Sequence, residues 1–179
     1  MSETPSIVAL DPHALSEATP ALAEILKACV HDGASVGFVL PYDDGQARLF
    51  WTEKTAPALA AGGRVVLVAK LGETIAGSVQ LNLDTMPNQP HRADVMKLIV
   101  HPLHRRRGLA RALMTAIEGE ALRARRWLLT LDTAGEAAER LYLALGYVRV
   151  GAIPCYARDP LVDRFDATTI MYKDLRRAR

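Results

Sequence analysis

The turn Arg105-Arg106-Arg107-Gly108-Leu109-Ala110 sets three guanidinium groups beside one glycine, and its place in the chain gives that combination a chemistry. Before it runs the apolar, β-prone stretch Val95 to Val100, stopped at Pro102. After it, Leu109, Leu113 and Ile117 recur with helical spacing. The pattern predicts a strand, a tight loop and a helix start. Backbone N–H groups at a helix start lack partners and lie at the positive end of the helix dipole, so a basic loop there suits an anionic phosphate ester. Gly108 allows close approach of main chain and anion, where a Cβ would intrude. Spacing narrows the nucleotide class. A Walker loop is G-x-x-x-x-G-K-[ST], and the nearest match, Gly72 to Gly77 followed by Ser78, has no lysine. A Rossmann fingerprint needs three glycines where this loop has one.

The elements around the loop follow from periodicity. Leu22, Ile25, Leu26 and Val30 keep a helical period after Ser16 and Pro20, up to a stop at Asp32-Gly33, and a second helix is expected over 51–61, closed by Gly62-Gly63. Residues 64–70 and 74–83 read as a hairpin across Gly72-Glu73, then a loop precedes a strand at 94–100. A long helix to about Arg125 follows, then the buried strand 127–131 ending at Asp132-Thr133. Next come a short helix over 136–145 capped by Gly146 and strands at 147–150 and 168–172. The order implies an α/β fold with a mixed sheet and helices on both faces.

Composition bounds the rest. A chain of 179 residues, 50% hydrophobic, is expected to fold around one core as one domain. A net charge of +2 with well-mixed signs argues against nucleic acid as a partner, and Arg176, Arg177 and Arg179 read as a solvated tail. Cys29 and Cys155 stand far apart and no secretory leader is evident, so free thiols and a cytoplasmic location are expected. No apolar run approaches the roughly 18–20 residues of a membrane span.

Two motifs carry a family resemblance. R-x-x-G-x-A at Arg105 to Ala110 resembles the acyl-CoA signature of the GCN5-related N-acetyltransferase (GNAT) superfamily. Ala138-Glu139-Arg140-Leu141-Tyr142-Leu143-Ala144-Leu145-Gly146-Tyr147 is similar to the A-x-x-L-Y-x-x-L-G-[FY] segment that ends its core. The resemblance spans roughly residues 64 to 150. Gly33-Ala34-Ser35-Val36-Gly37-Phe38, Lys97-Leu98 and Leu131-Asp132-Thr133 extend it towards the tabtoxin-resistance acetyltransferases, which acetylate an amino-acid toxin.

What the resemblance implies is a three-layer GNAT fold with a mixed, mostly antiparallel sheet, and acetyl-CoA as co-substrate. The pantetheine arm would run beside the strand at Leu98, Ile99 and Val100, and the pyrophosphate over the amides of Arg105, Arg106, Arg107, Gly108, Leu109 and Ala110. Tyr142 matches the family tyrosine that donates to the departing thiolate. The family's asparagine, seven residues before that tyrosine, is Gly135 here, with Thr133 or Glu136 as substitutes.

Acetyl transfer to an amine also needs a base. Asp132 lies at the C-terminal end of a strand, where open α/β sheets place their crevice, and Asp94 begins the other central strand. Ser35, Phe38, Trp51 and Tyr156 are candidates for the acceptor pocket, together with the acidic stretch 159–166. The expected acceptor is a small-molecule amine, including an amino-acid-like toxin or antibiotic; a homodimer is compatible with this. Acetylation of protein N-termini or lysines, or a silent acyl-CoA-binding module, are alternatives. Two other chemistries compete. Gly33-Ala34-Ser35-Val36-Gly37 fits the G-x-S-x-G nucleophile elbow, which requires a strand before the serine and a helix after it. His101 and His104 with Asp94 would make an incomplete metal site.

Overall fold

The computed structural model describes residues 5–177. In chain order these form β1 (Ser6–Ala9), α1 (Pro12–His31), α2 (Asp44–Leu49), a π-helical turn (Phe50–Thr55) and α3 (Ala56–Ala60). Then come β2 (Arg64–Leu71), β3 (Thr74–Asn82), β4 (Arg92–Val100), α4 (Leu109–Arg123), β5 (Leu128–Thr133), α5 (Glu136–Ala144), β6 (Val148–Arg158) and β7 (Phe165–Asp174). The strands make one sheet in the order β1-β2-β3-β4-β5-β7-β6, antiparallel throughout except between β4 and β5. A parallel pair needs a crossover, and α4 supplies it. This is the mixed sheet with helices on both faces that the element order predicts, and it is mostly antiparallel as the family resemblance implies. No helix among the described residues is long and apolar enough to cross a membrane.

Both faces of the sheet are buried. Along β2, Leu67, Ala69 and Leu71 join the core under Leu113, Met114 and Ile117 of α4, while Val66 and Val68 join the core under Leu22, Ile25 and Leu26 of α1. A strand buried on both sides reads as an unbroken apolar run, as 65–69 does. β4 breaks this alternation. Val95 and Ile99 have the same parity yet enter opposite cores, because the register against β3 slips between Ser78 and Gln80, opposite Lys97, whose φ is +51°. A bulge of this kind re-aims the residues that follow it. Leu98 consequently packs towards the α4 face.

The elements depart from the sequence reading in several places, each with a local cause. α1 begins at Pro12, where the Asp11 carboxylate accepts a 2.8 Å bond from the Ala14 N–H, and it continues through Pro20 because its buried apolar stripe offsets the roughly 3 kcal/mol an internal proline costs. The second helical region starts at Asp44 through a capping box between Asp43 and Gln46. β6 runs on to Arg158 past Pro154, which an edge strand tolerates. Arg176 is exposed, as the tail reading expects, yet anchored: it pairs with Asp174 at 2.7 Å and stacks 3.4 Å from the Trp127 ring centroid. Arg177 also reaches Asp174, at 3.5 Å, and Arg179 lies outside the described residues.

Candidate active site

β4 and β5 pair only from Arg92–Leu128 to Asp94–Thr130. Beyond that point β4 stays with β3 as far as Gly77–Val100, and β5 stays with β7 as far as Thr133–Thr169. The two strands splay, and one edge of 95–100 is left without a strand neighbour. A cavity of about 530 Å³ occupies the gap, walled by 95–98 of β4, by Asp132 to Gly135, by Tyr142 of α5, by the loop 33–37 and by Tyr156.

At the far end of β4 the chain turns into α4 through two left-handed residues, Arg106 (φ +64°) and Gly108 (φ +79°). No side chain caps α4, and residues 105–108 are exposed. A Cβ built on Gly108 would meet no atom within 4 Å. The first turn of α4 therefore faces open space with its N–H groups free of side-chain acceptors, the arrangement that receives anions. Leu109 buries its side chain in the core and Ile99 does the same on the other face, so neither side chain is available to a ligand, and neither residue lines the cavity. Arg105 is engaged within the protein: its Nε donates to the Val100 carbonyl at 3.3 Å and its guanidinium pairs with Asp32. Arg106 and Arg107 make no ion pair among the described residues.

Tyr142 is 6% exposed and lines the cavity. Burial first, and the negative charge of Asp132 second, push its phenol well above the ordinary value. Its ring lies 5.6 Å from that of Tyr147, which in turn sits under the Lys173 ammonium at 5.6 Å. Lys173 is paired with Glu118 at 2.7 Å, so a largely buried ion pair buttresses the two tyrosines. Across the strand end, the Asp132 carboxylate accepts a 3.1 Å bond from the Thr168 hydroxyl. Thr133 and Leu98 also line the cavity, as do Ser35 and Tyr156. Glu136 points away, paired with Arg140, which leaves Thr133 as the better placed of the two substitutes for the missing asparagine.

Other expected site residues are held elsewhere. Asp94 lies where β4 still pairs with β5, bound by the Arg92 guanidinium and the Thr130 hydroxyl, away from the cavity wall. Trp51 is fully buried against the α1 core, because large aromatics are worth most there. Phe38 packs tilted against Tyr42 (4.6 Å) and edge-to-face against Phe50 (5.5 Å), and it lines a neighbouring apolar cavity of about 440 Å³. Asp159 and Asp166 do reach the cleft, but Arg164 pairs with both, at 2.9 and 2.6 Å, so they present little free negative charge.

The serine-elbow reading fails on geometry. Ser35 follows the end of α1 in a loop, with no strand before it and no helix directly after it. His101 Nε2 lies 3.0 Å from Glu24, and no group of three or more His, Cys, Asp or Glu among the described residues is placed to hold a metal. The Cys29 thiol is buried, donates to the Val100 carbonyl at 3.4 Å, and is pushed up by that burial, so it is a poor nucleophile.

Sequence reasoning missed Lys97 as a cleft residue. It occupies the β4 bulge and lines the cavity, its ammonium donates to the Val36 carbonyl at 2.6 Å, and it lies 5.5 Å from the rings of both Phe38 and Phe50. Burial pulls its pKa down, against the pull of Asp132.

A sequence model of the Acetyltransferase (GNAT) family matches residues 21–147, well over half of the chain, and the protein belongs to that family. Its acyl donor is acetyl-CoA. Solved structures share the fold. The Salmonella typhimurium protein yncA, assigned as an acetyltransferase and solved with its cofactor acetyl-CoA, is 22% identical with a TM-score of 0.77, over 96% of this chain and 94% of that one. A ribosomal-protein-alanine N-acetyltransferase from Brucella melitensis is 21% identical, TM-score 0.77, over 95% and 99%. A protein assigned as a phosphinothricin N-acetyltransferase is 14% identical, TM-score 0.75, over 96% and 99%.

Proposed function

We propose that this protein moves the acetyl group of acetyl-CoA to the primary amine of a small molecule by direct attack in a ternary complex. The observation that carries the proposal is the splay of β4 from β5, with the uncapped start of α4 at one end and Tyr142 with Asp132 at the other. The residues present fit the coenzyme. The open space before Gly108 and the free N–H groups of α4 suit a pyrophosphate, and the edge of 98–100, without a strand neighbour although Arg105 and Cys29 donate to the Val100 carbonyl, suits the amides of a pantetheine arm. Bound there, acetyl-CoA supplies an activated thioester.

Each cleft residue then has a task. A main-chain N–H beside Leu98 polarises the thioester carbonyl. Asp132 accepts the proton that an ammonium must lose before it can attack, directly or through water. Tyr142 keeps its proton, since both burial and Asp132 disfavour the phenolate, and offers it as a hydrogen bond to the leaving sulfur. A phenol so weakly acidic stabilises a thiolate by donating rather than by surrendering the proton early; complete transfer follows as the amine releases its own. Neither cysteine is needed as an acyl carrier.

A small acceptor is favoured over a protein by the loop 33–37 and by Tyr156, which both wall the cavity beside Tyr142 and Asp132. The likenesses to a ribosomal-protein-alanine enzyme and to a phosphinothricin enzyme are both likenesses of fold and do not divide the two readings. The sequence resemblance to tabtoxin-resistance acetyltransferases adds amino-acid toxins to the acceptors worth testing. A homodimer through β6 is consistent with the exposed Val148, Val150 and Ile153 on that edge strand. The deciding assay presents acetyl-CoA with a panel of small amines, tabtoxinine-like amino acids among them, and with a panel of peptides, and reads free thiol. Turnover of small amines is expected; turnover of peptides alone would overturn the proposal.

A further inference from the structure

Acetyl transfer as derived above leaves Lys97 without a task, although it is a cation in the wall of the reaction cleft. Its position is costly in two ways. The backbone is left-handed at φ +51°, a conformation that residues other than glycine rarely adopt, and the charge is half-buried. Lys27, Lys70 and Lys173 each face a carboxylate, at 2.8, 3.9 and 2.7 Å. Lys97 has no carboxylate within 4.0 Å among the described residues. One of its N–H groups goes to the Val36 carbonyl, and the faces of Phe38 and Phe50 give it only cation–π contact. Holding Val36 would require a donor but not a charge. A half-buried ammonium without a counter-ion is made good when an anion arrives.

The acids near it do not meet that need. Asp132 acts on Lys97 only from beyond ion-pair distance, and Asp159 and Asp166 are taken up by Arg164. Among the described residues the cavity therefore has a cation without an ion-pair partner on its β4 wall and a carboxylate without one, Asp132, at the end of β5. That polarity matches a zwitterion. We propose that Lys97 receives the carboxylate of the acceptor, so that the preferred acceptors are amino acids whose amine faces Asp132 and Tyr142 while the carboxylate rests on the Lys97 ammonium. The proposal rests on the small-amine reading of the cleft and adds the group that selects among amines.

The test compares kcat/KM for free amino acids, their α-carboxamides and the matching decarboxylated amines, with acetyl-CoA saturating and free thiol as the readout. In the wild-type protein the acids should be preferred over the amides by about tenfold or more, the effect of one charge-assisted hydrogen bond. Lys97→Met should erase that preference through the KM of the acids while leaving turnover of the amides, and Lys97→Arg should restore part of it. The wild-type comparison stands even if a variant folds poorly. Equal use of acids and amides by the wild type would overturn the role of Lys97 while the small-amine reading survives. A preference that persists in Lys97→Met would do the same. Failure of all three substrate sets alongside turnover of peptides would remove the parent reading, and this proposal with it.

Discussion

Replacing Gly108 with alanine tests the coenzyme site and the fold separately. Gly108 is left-handed (φ +79°, ψ 0°) directly before the first residue of α4. An L-residue in that conformation costs roughly 1–2 kcal/mol. The added Cβ meets no atom within 4 Å, so no packing clash adds to the strain. For a chain of this size, 1 kcal/mol moves Tm by about 2–4 °C, and the free variant should melt roughly 2–8 °C lower. The loss in coenzyme binding should be larger than strain alone explains. The methyl would stand in the space before the α4 N-terminus, and displacing one charge-assisted hydrogen bond there costs about 1.5–3 kcal/mol. That corresponds to a roughly 10- to 150-fold weaker Kd for coenzyme A, measured by titration calorimetry well below the melting range. Gly62→Ala is the control, because Gly62 is also left-handed (φ +73°) with open space around its Cβ and lies outside the cleft. It should melt lower and bind coenzyme A normally. If Gly108→Ala melts lower yet binds coenzyme A within about twofold of the wild type, the pyrophosphate does not lie over this turn and the reasoning from the helix start is wrong.

Tyr142→Phe removes the hydroxyl and keeps the ring in the core, so Tm should hold while kcat falls about 100-fold or more, the usual scale for losing a positioned acid. The ratio of wild-type to variant kcat should stay level as pH rises to 10.0, because burial and Asp132 hold the phenol protonated there; a ratio collapsing at lower pH would contradict that. Glu118→Gln leaves the Lys173 ammonium, 9% exposed, without its counter-ion beneath Tyr147. Breaking such a pair costs about 3 kcal/mol or more, a fall of roughly 6–12 °C in Tm, and Lys173→Met in the same chain should recover much of it. A shift below about 1 kcal/mol would show that the pair does not buttress the tyrosines.

The parts of the site that were legible in the sequence are those set by local chemistry. The turn at Gly108 announces itself because a strand end, a proline, a lone glycine and a helical period fall within about fifteen residues, and no distant contact is needed to make them a helix start. Tyr142 is legible only through the A-x-x-L-Y-x-x-L-G-[FY] resemblance; the local pattern gives its helix and the left-handed stop at Gly146 (φ +85°), not the role of the phenol. The acceptor side was not legible, since burial and ion pairing across the chain decide it. Trp51 and Phe38 look alike as aromatics, yet one is sealed in the α1 core and the other borders a cavity. The acid-rich stretch 159–166 looks electrostatically open until Arg164 folds back onto Asp159 and Asp166.

Asp94 and Lys97 show the same limit at the shortest range. They stand three residues apart on one strand, and the sequence offered the aspartate as the reactive group. What separates them is the register of β4 against β3 and β5. At Asp94 the strand is still paired on both sides, so the carboxylate is absorbed by Arg92 and Thr130. At Lys97 the pairing to β5 has ended and the bulge has broken the alternation, so the side chain reaches the cleft. The bulge has two effects. It turns Leu98 back to the core, and it puts Lys97 in the wall of the cleft, where the proposed acceptor carboxylate would rest. A change that restored regular pairing opposite Ser78 to Gln80 would therefore disturb coenzyme and acceptor recognition together, although no residue of the R-x-x-G-x-A turn had been touched.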